Sequence, residues 1–227
     1  TNVVNLFGGL PMVEIMNHMG FDAMALGNHE FNYGQEQLLS LAKAAKFPFI
    51  SANVVRDDGT VFIGDYNIFD VGGVKVGVFG LSPTDTPILT HPKDVVGLQF
   101  LCPGVVAARM VEVLEGQVDI IVCLSHLGYE DDKVIAAEVP GIDVIVGGHS
   151  HTTLAKPEVV GGAIIVQTGD WAENAGVLNL VVAGGKVVSF DGGLVQMKAD
   201  MPGPAADHPV GTTLAKYNAA LAEKMAV

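Results

Sequence analysis

Two hundred and twenty-seven residues, 49% of them hydrophobic and 16% charged, give enough chain and apolar mass for a folded protein with one or two cores, which excludes a disordered segment. Acidic residues outnumber basic ones by 25 to 12, a formal net charge of −13, and a field of that sign repels a phosphate backbone, so no nucleic acid polymer is expected as a partner. No transmembrane segment is expected either, because glycines and polar residues break every apolar run before the roughly 18–20 residues that a membrane helix needs.

The first predicted element is a helix over residues 11–19. Pro11 suits a first turn, and Met12, Ile15, Met16 and Met19 recur at helical spacing up to Gly20. These methionines are expected in the core rather than at a cofactor. "FDAMAL" then reads as a buried strand that closes on the polar corner "GNHEFNYG", and "GQEQLLSLAKAAK" as the amphipathic helix behind it. The strand "FPFISANVV" follows. "YNIFDV" and "VKVGVFGL" flank Gly72-Gly73, a two-residue hairpin signal, and residues 82–98 read as a polar loop with prolines.

A helix over 104–116 leads into the strand "VDIIVCL", the turn "SHLGYED", a short helix near "DDKVIAAEV" and the strand "IDVIVGG". This alternation of strand and helix predicts an α/β layer with parallel pairing. Beyond Pro157, "EVVGGAIIVQTG" and "GVLNLVVAGGKVVSFDGGLVQM" read as antiparallel hairpins, "MPGPAADHP" as a linker and residues 210–227 as a terminal helix. Cys102 and Cys123 are expected as buried free thiols, with a disulfide between them left open. Thr1 is neither an initiator methionine nor part of a signal peptide, so a processed chain or a fragment is expected.

Chemistry concentrates in three corners of one design. "DAMALGNHE", "DIIVCLSH" and "DVIVGGHSH" each start with Asp, run through apolar residues and end in a turn that carries imidazole. In open α/β sheets ligands gather beyond the carboxyl ends of the strands, so Asn28, His29, His126, His149 and His151 are expected to share one cleft. Imidazoles with an amide oxygen suit zinc, manganese, cobalt or iron, whereas calcium and magnesium want more carboxylates. His149 and His151 are spaced to point at different neighbours and serve two ions. A lone histidine at a strand end is more often a hydrogen-bonded turn residue, and His18, His91 and His208 are read as such surface or capping residues.

In this order the three corners resemble the metallophosphoesterases, and within them the 5'-nucleotidase-like branch. The resemblance implies an α/β fold, a four-layer αββα sandwich, and two divalent metal ions held in a cleft for hydrolysis of nucleotides or other small phosphate esters. It implies Asn28, His126 and His149 as ligands of one ion and His151 as a ligand of the other. His29 becomes the catalytic group that stabilises the transition state or protonates the leaving oxygen, a task suited to an imidazole. Asn32 stands where many 5'-nucleotidases carry an Asp that orients the catalytic histidine. The form "GNHEFNYG" is similar to the branch acting on 2',3'-cyclic nucleotides and 3'-nucleotides.

The family's opening Asp-x-His and Gly-Asp motifs have no counterpart in this sequence, nor has its C-terminal base-binding domain. The expectation is therefore a catalytic domain over residues 1–200 that lacks its first strands, with residues 201–227 as linker and connector helix. A missing N-terminal segment supplied by another chain is the variant of that reading. At most one ion, weakly bound, and little or no turnover are expected of such a chain, and family resemblance places it outside the cytoplasm. Two other classes stay open: a non-catalytic binding module or pseudoenzyme with a lost metal centre, and a protein in which His126, His149 and His151 staple the sheet around a structural ion.

Overall fold

The computed structural model describes residues 2–198 and 200–225; Thr1, Ala199, Ala226 and Val227, which the terminal, domain and helix expectations touch, lie outside them. The helices are α1 (Asn2–Phe7), α2 (Leu10–Met19), α3 (Gly34–Ala44), α4 (Thr86–Leu89), α5 (Pro103–Leu114), α6 (Tyr129–Glu138) and α7 (Pro209–Met225). The strands are β1 (Met24–Ala25), β2 (Phe49–Ile50), β3 (Val54–Arg56), β4 (Tyr66–Val71), β5 (Val74–Leu81), β6 (Leu98–Phe100), β7 (Ile120–Ser125), β8 (Val144–Val146), β9 (Glu158–Val160), β10 (Ala163–Val166), β11 (Asn174–Ala183) and β12 (Lys186–Gln196).

Six strands make the main sheet in the order β4-β5-β7-β8-β10-β9. The four inner strands run parallel, and β4 and β9 close the edges antiparallel. Strands buried on both faces need continuous apolar sequence, and β7 ("IIVCLS") and β10 ("AIIV") supply it. One face packs on α5 and α6, where Val106, Ala107, Met110, Leu114, Ile135 and Ala136 meet Phe79, Leu81, Cys123, Ile145 and Ile165 in the larger core. On the other face Val76, Ile120 and Val122 share a cleft with Leu178, Leu180 and Val182 of the β11–β12 ribbon.

A second core joins α2 and α3 to the short strands: Val13, Leu26, Phe31, Leu38, Phe47, Phe49 and Phe62. It is tied to the main sheet by backbone. Leu26 N donates to Ile50 O at 3.2 Å, and Ala52 N donates to Gly80 O at 2.8 Å. A Cβ on Gly80 would stand 2.3 Å from Ile50 O, so only glycine lets β2 lie this close to β5.

Register sets the height of every turn above the sheet. Leu81 is level with Ser125, and Leu124 with Val146, which in turn pairs with Val166. Ser82, His126, Gly147 and Gln167, each the next residue, therefore emerge at one edge.

Several expectations need correction. "FPFISANVV" is two strands, β2 and β3, because Ser51–Asn53 turns to bury its polar side chains. Residues 82–98 are not all loop: they carry α4 and a 3-10 turn at Pro92–Val95. The region after Pro157 is not wholly antiparallel, since β10 also pairs parallel with β8. Met12 and Met19 are 43% and 62% exposed; α2 buries Pro11 and Val13 instead, and of the methionines Met16 packs against the second core. Cys123 is buried, but Cys102 is exposed at the start of α5, and both are free thiols.

Candidate metal centre

The first corner leaves β1 through Gly27 into a 3-10 turn, Asn28–Phe31. Phe31 is fully buried and pins the turn, while Glu30 folds back to accept Gly27 N–H at 2.7 Å. Burial pushes the Glu30 carboxyl above its usual range, against the lowering by that hydrogen bond. Asn28 is 4% exposed, and its Oδ1 has no hydrogen-bond partner. An orphaned buried acceptor of this kind calls for a donor or a cation.

His29 points outward. Asn32 Oδ1 accepts from Thr90 Oγ1 at 3.3 Å, which turns the Asn32 amide NH₂ towards His29 Nδ1 at 3.0 Å. In that arrangement neutral His29 carries its proton on Nε2, the free nitrogen.

The second corner brings His126 directly against the first. A Cβ on Gly27 would lie 2.6 Å from His126 Nε2, so the missing side chain is the space that the imidazole fills. His126 N donates to Leu81 O at 2.9 Å. Burial, then the neighbouring His149, His29 and His151, depress the His126 pKa to about 4. It is thus neutral at physiological pH and keeps a lone pair to offer.

The third corner supplies His149, whose ring centroid is 5.1 Å from that of His126, and His151, whose Nδ1 is 3.4 Å from Asp170 Oδ2. His149 and His151 both take left-handed backbone, φ 70° and 56°. Non-glycine residues in that region store strain, and the turn holds them by hydrogen bonds: Gln167 Oε1 accepts from Thr152 N at 2.6 Å and Ser150 Oγ at 3.1 Å.

The five residues singled out by sequence thus fall at one edge of the sheet. Asn28 Oδ1 beside His126, and His126 beside His149, bring an amide oxygen and two imidazoles to this edge, donor types that suit a borderline divalent ion. His151 is turned to Asp170 instead. Among the described residues no three His, Cys, Asp or Glu side chains converge closely enough to hold an ion by themselves, so an ion at this edge would need a donor of another kind, such as the Asn28 amide. A cavity of about 990 Å³ is at the opposite end of β7, near Asp119, Asp143 and Phe190, and is lined by no histidine. A smaller one, about 330 Å³, lies beside His149 between Thr84, Cys102 and Leu127.

Sequence reading passed over the residues beneath the corners. Ser82 Oγ donates to Leu26 O at 2.7 Å and meets Ser51 Oγ at 2.8 Å, while Asn53 bonds Ser82 N and O. These prop up the first corner. Ser125 Oγ donates to Asp132 Oδ1 and accepts from Leu127 N, propping up the second. Lone Ser, Asn and Gln carry no signal in sequence, and only their burial marks them. His91 and His208 cap turns through Nδ1, accepting from Lys93 N and Val210 N.

Known proteins share sequence and fold with this chain. A family model described as calcineurin-like phosphoesterase matches residues 6–153. The chain is 39% identical over 165 residues to a snake venom 5'-nucleotidase of Crotalus adamanteus, a match covering 66% of this chain and 26% of that protein. It spans about a quarter of the length of such curated relatives. Among solved structures, a 5'-nucleotidase precursor from Thermus thermophilus superposes with a TM-score of 0.87 at 31% identity, over 98% of this chain and 48% of that one. The sulfate thiohydrolase SoxB from the same species gives 0.89 at 25% identity, over 96% and 40%.

Proposed function

The chain belongs to the calcineurin-like phosphoesterase family, and from that premise we propose that it is the hydrolytic, metal-binding domain of a phosphohydrolase acting on nucleotides, of the 5'-nucleotidase or the 2',3'-cyclic-nucleotide phosphodiesterase/3'-nucleotidase type. The observation that carries the reading is the buried, partnerless Asn28 Oδ1 at the corner whose glycine abuts His126. Asn28, His126 and His149 would hold one divalent ion of the manganese, zinc, cobalt or iron type, with His151 directed to a second. Bound there, the ion would supply positive charge and Lewis acidity at a phosphoryl oxygen.

His29 does the proton work. Its Nε2–H faces outward, free to donate to the oxygen of the ester bond as that bond to phosphorus breaks. Asn32 holds the ring from behind and keeps the proton on the useful nitrogen. Amide and imidazole donors are all neutral, so the ligand set assigned here lacks a bridging carboxylate, and this chain by itself binds a single ion weakly. Similarity to a venom protein supports an extracytoplasmic setting.

The test is phosphate release from AMP and 3'-AMP, and ring opening of 2',3'-cyclic AMP to the monoester, by manganese- or zinc-loaded protein. Slow, EDTA-sensitive turnover is expected, with His29→Ala lowering kcat by about 100-fold or more. A folded, metal-loaded protein inert towards all three would overturn the reading in favour of a binding module.

A further inference from the structure

Two buried polar atoms behind the metal centre have no partner: Asp132 Oδ2 and Gln167 Nε2. Asp132 is 0% exposed and Gln167 1%, so water outside the protein reaches neither. They are complementary, a carboxylate acceptor and an amide donor, and they face the same point. A Cβ built on Gly147 would stand 2.3 Å from Asp132 Oδ2 and 2.9 Å from Gln167 Nε2. The side chain that glycine lacks therefore leaves a notch into which both groups project. Their remaining atoms are committed elsewhere: Asp132 Oδ1 accepts from Ser125 Oγ, next to His126, and Gln167 Oε1 accepts from Ser150 Oγ and Thr152 N, on either side of His151.

We propose that Asp132 and Gln167 form a buried donor–acceptor strut across the Gly147 notch, positioning the His126 turn against the His149–His151 turn and so setting how tightly the imidazoles capture a cation. The inference rests on the reading that His126 and His149 are metal ligands. Neither strut residue touches the ion; both are positioning residues. Each end grips one histidine turn, and the strut would add to a direct tie between these turns, the hydrogen bond that Tyr129 N donates to Ser150 Oγ at 3.0 Å. Outer partners of metal-binding imidazoles commonly change affinity by about 10- to 100-fold.

Cobalt(II) titration followed by visible absorption, with thermal melting beside it, tests the strut. Asp132→Asn and Gln167→Glu should each weaken cobalt binding about tenfold or more, since each sets like groups against each other. The double variant Asp132→Asn/Gln167→Glu restores a donor and an acceptor in reversed order and should recover affinity to within about threefold. Singles that bind as tightly as the parent, or a double variant no better than the worse single, overturn the proposal. If a single variant does not fold, the parent protein still decides. A nuclear Overhauser contact between the Gln167 side-chain amide and the Asp132 methylene is expected, and its absence sinks the strut. A parent protein that takes up no cobalt overturns the metal reading, and the positioning role with it, whether or not that contact is seen.

Discussion

His126 and His29 belong to one cluster and are fitted for different work by their surroundings. Burial and three neighbouring imidazoles hold His126 neutral down to about pH 4, which suits a group offering a lone pair; His29, exposed and backed by Asn32, is placed to part with a proton. Asp132 shows the opposite effect of burial, its carboxyl pushed up to about 6 from an unfolded value near 3.8 in spite of the Ser125 hydrogen bond. The folded protein thus keeps a proton that the unfolded chain has released. That contribution to stability is fully present below about pH 3.8 and is lost as pH rises through about 6. Asn at this position is permanently uncharged, so the stability penalty of Asp132→Asn should shrink between about pH 4 and about pH 7 when urea unfolding is compared at the two values. A penalty independent of pH would show that Asp132 is not protonated in the fold. The histidines were legible in sequence because three corners repeat one design, an apolar run that starts with Asp and ends in a turn carrying imidazole. Asp132 and Gln167 were not, since nothing near them in sequence states that they would be buried.

At the scale of elements, the parallel strands act as a ruler. Because β5, β7, β8 and β10 end within one residue of the same level, turns that are far apart in sequence arrive at nearly one height. The Gly72-Gly73 and Gly184-Gly185 hairpins were readable, as each pairs left-handed glycines between apolar runs and the chain closes there as expected. The break between β2 and β3 was not: Ser51 and Asn53 are buried by distant partners at Ser82 and Leu101. Gly80 is where the first corner is hung on the sheet. Gly80→Ala would drive a methyl group into Ile50 O and should destabilise the protein by about 1–3 kcal/mol, measured by urea unfolding. An unchanged midpoint would mean that β2 is free to retreat from β5.

Across the whole molecule, charge and fold pull in different directions. A net charge of −13 repels an anionic substrate at long range, while the site assigned to it relies on a bound cation at short range. Salt screens the first far more than the second, shortening the Debye length from about 30 Å at about 10 mM to about 8 Å at about 150 mM. The KM for AMP of the metal-loaded protein should therefore fall over that range; a KM that rises would show that local positive charge steers the nucleotide. The helix α7 adds a long-range tie, with Lys216 Nζ 3.1 Å from Glu14 Oε2 and Tyr217 edge-on to Phe7, and so docks on α1 and α2. Sequence by itself determined the α/β alternation, the hairpins and the identity of the three imidazole corners, because periodicity and turn chemistry are local properties of the chain. Only the tertiary structure decided that Asn28 Oδ1 is left without a partner, that His126 fills the space Gly27 leaves, and that Asp132 and Gln167 both project into the space beside Gly147. Those facts join residues that lie well apart along the chain, and contact of that kind is created by strand register and burial, which no local pattern encodes.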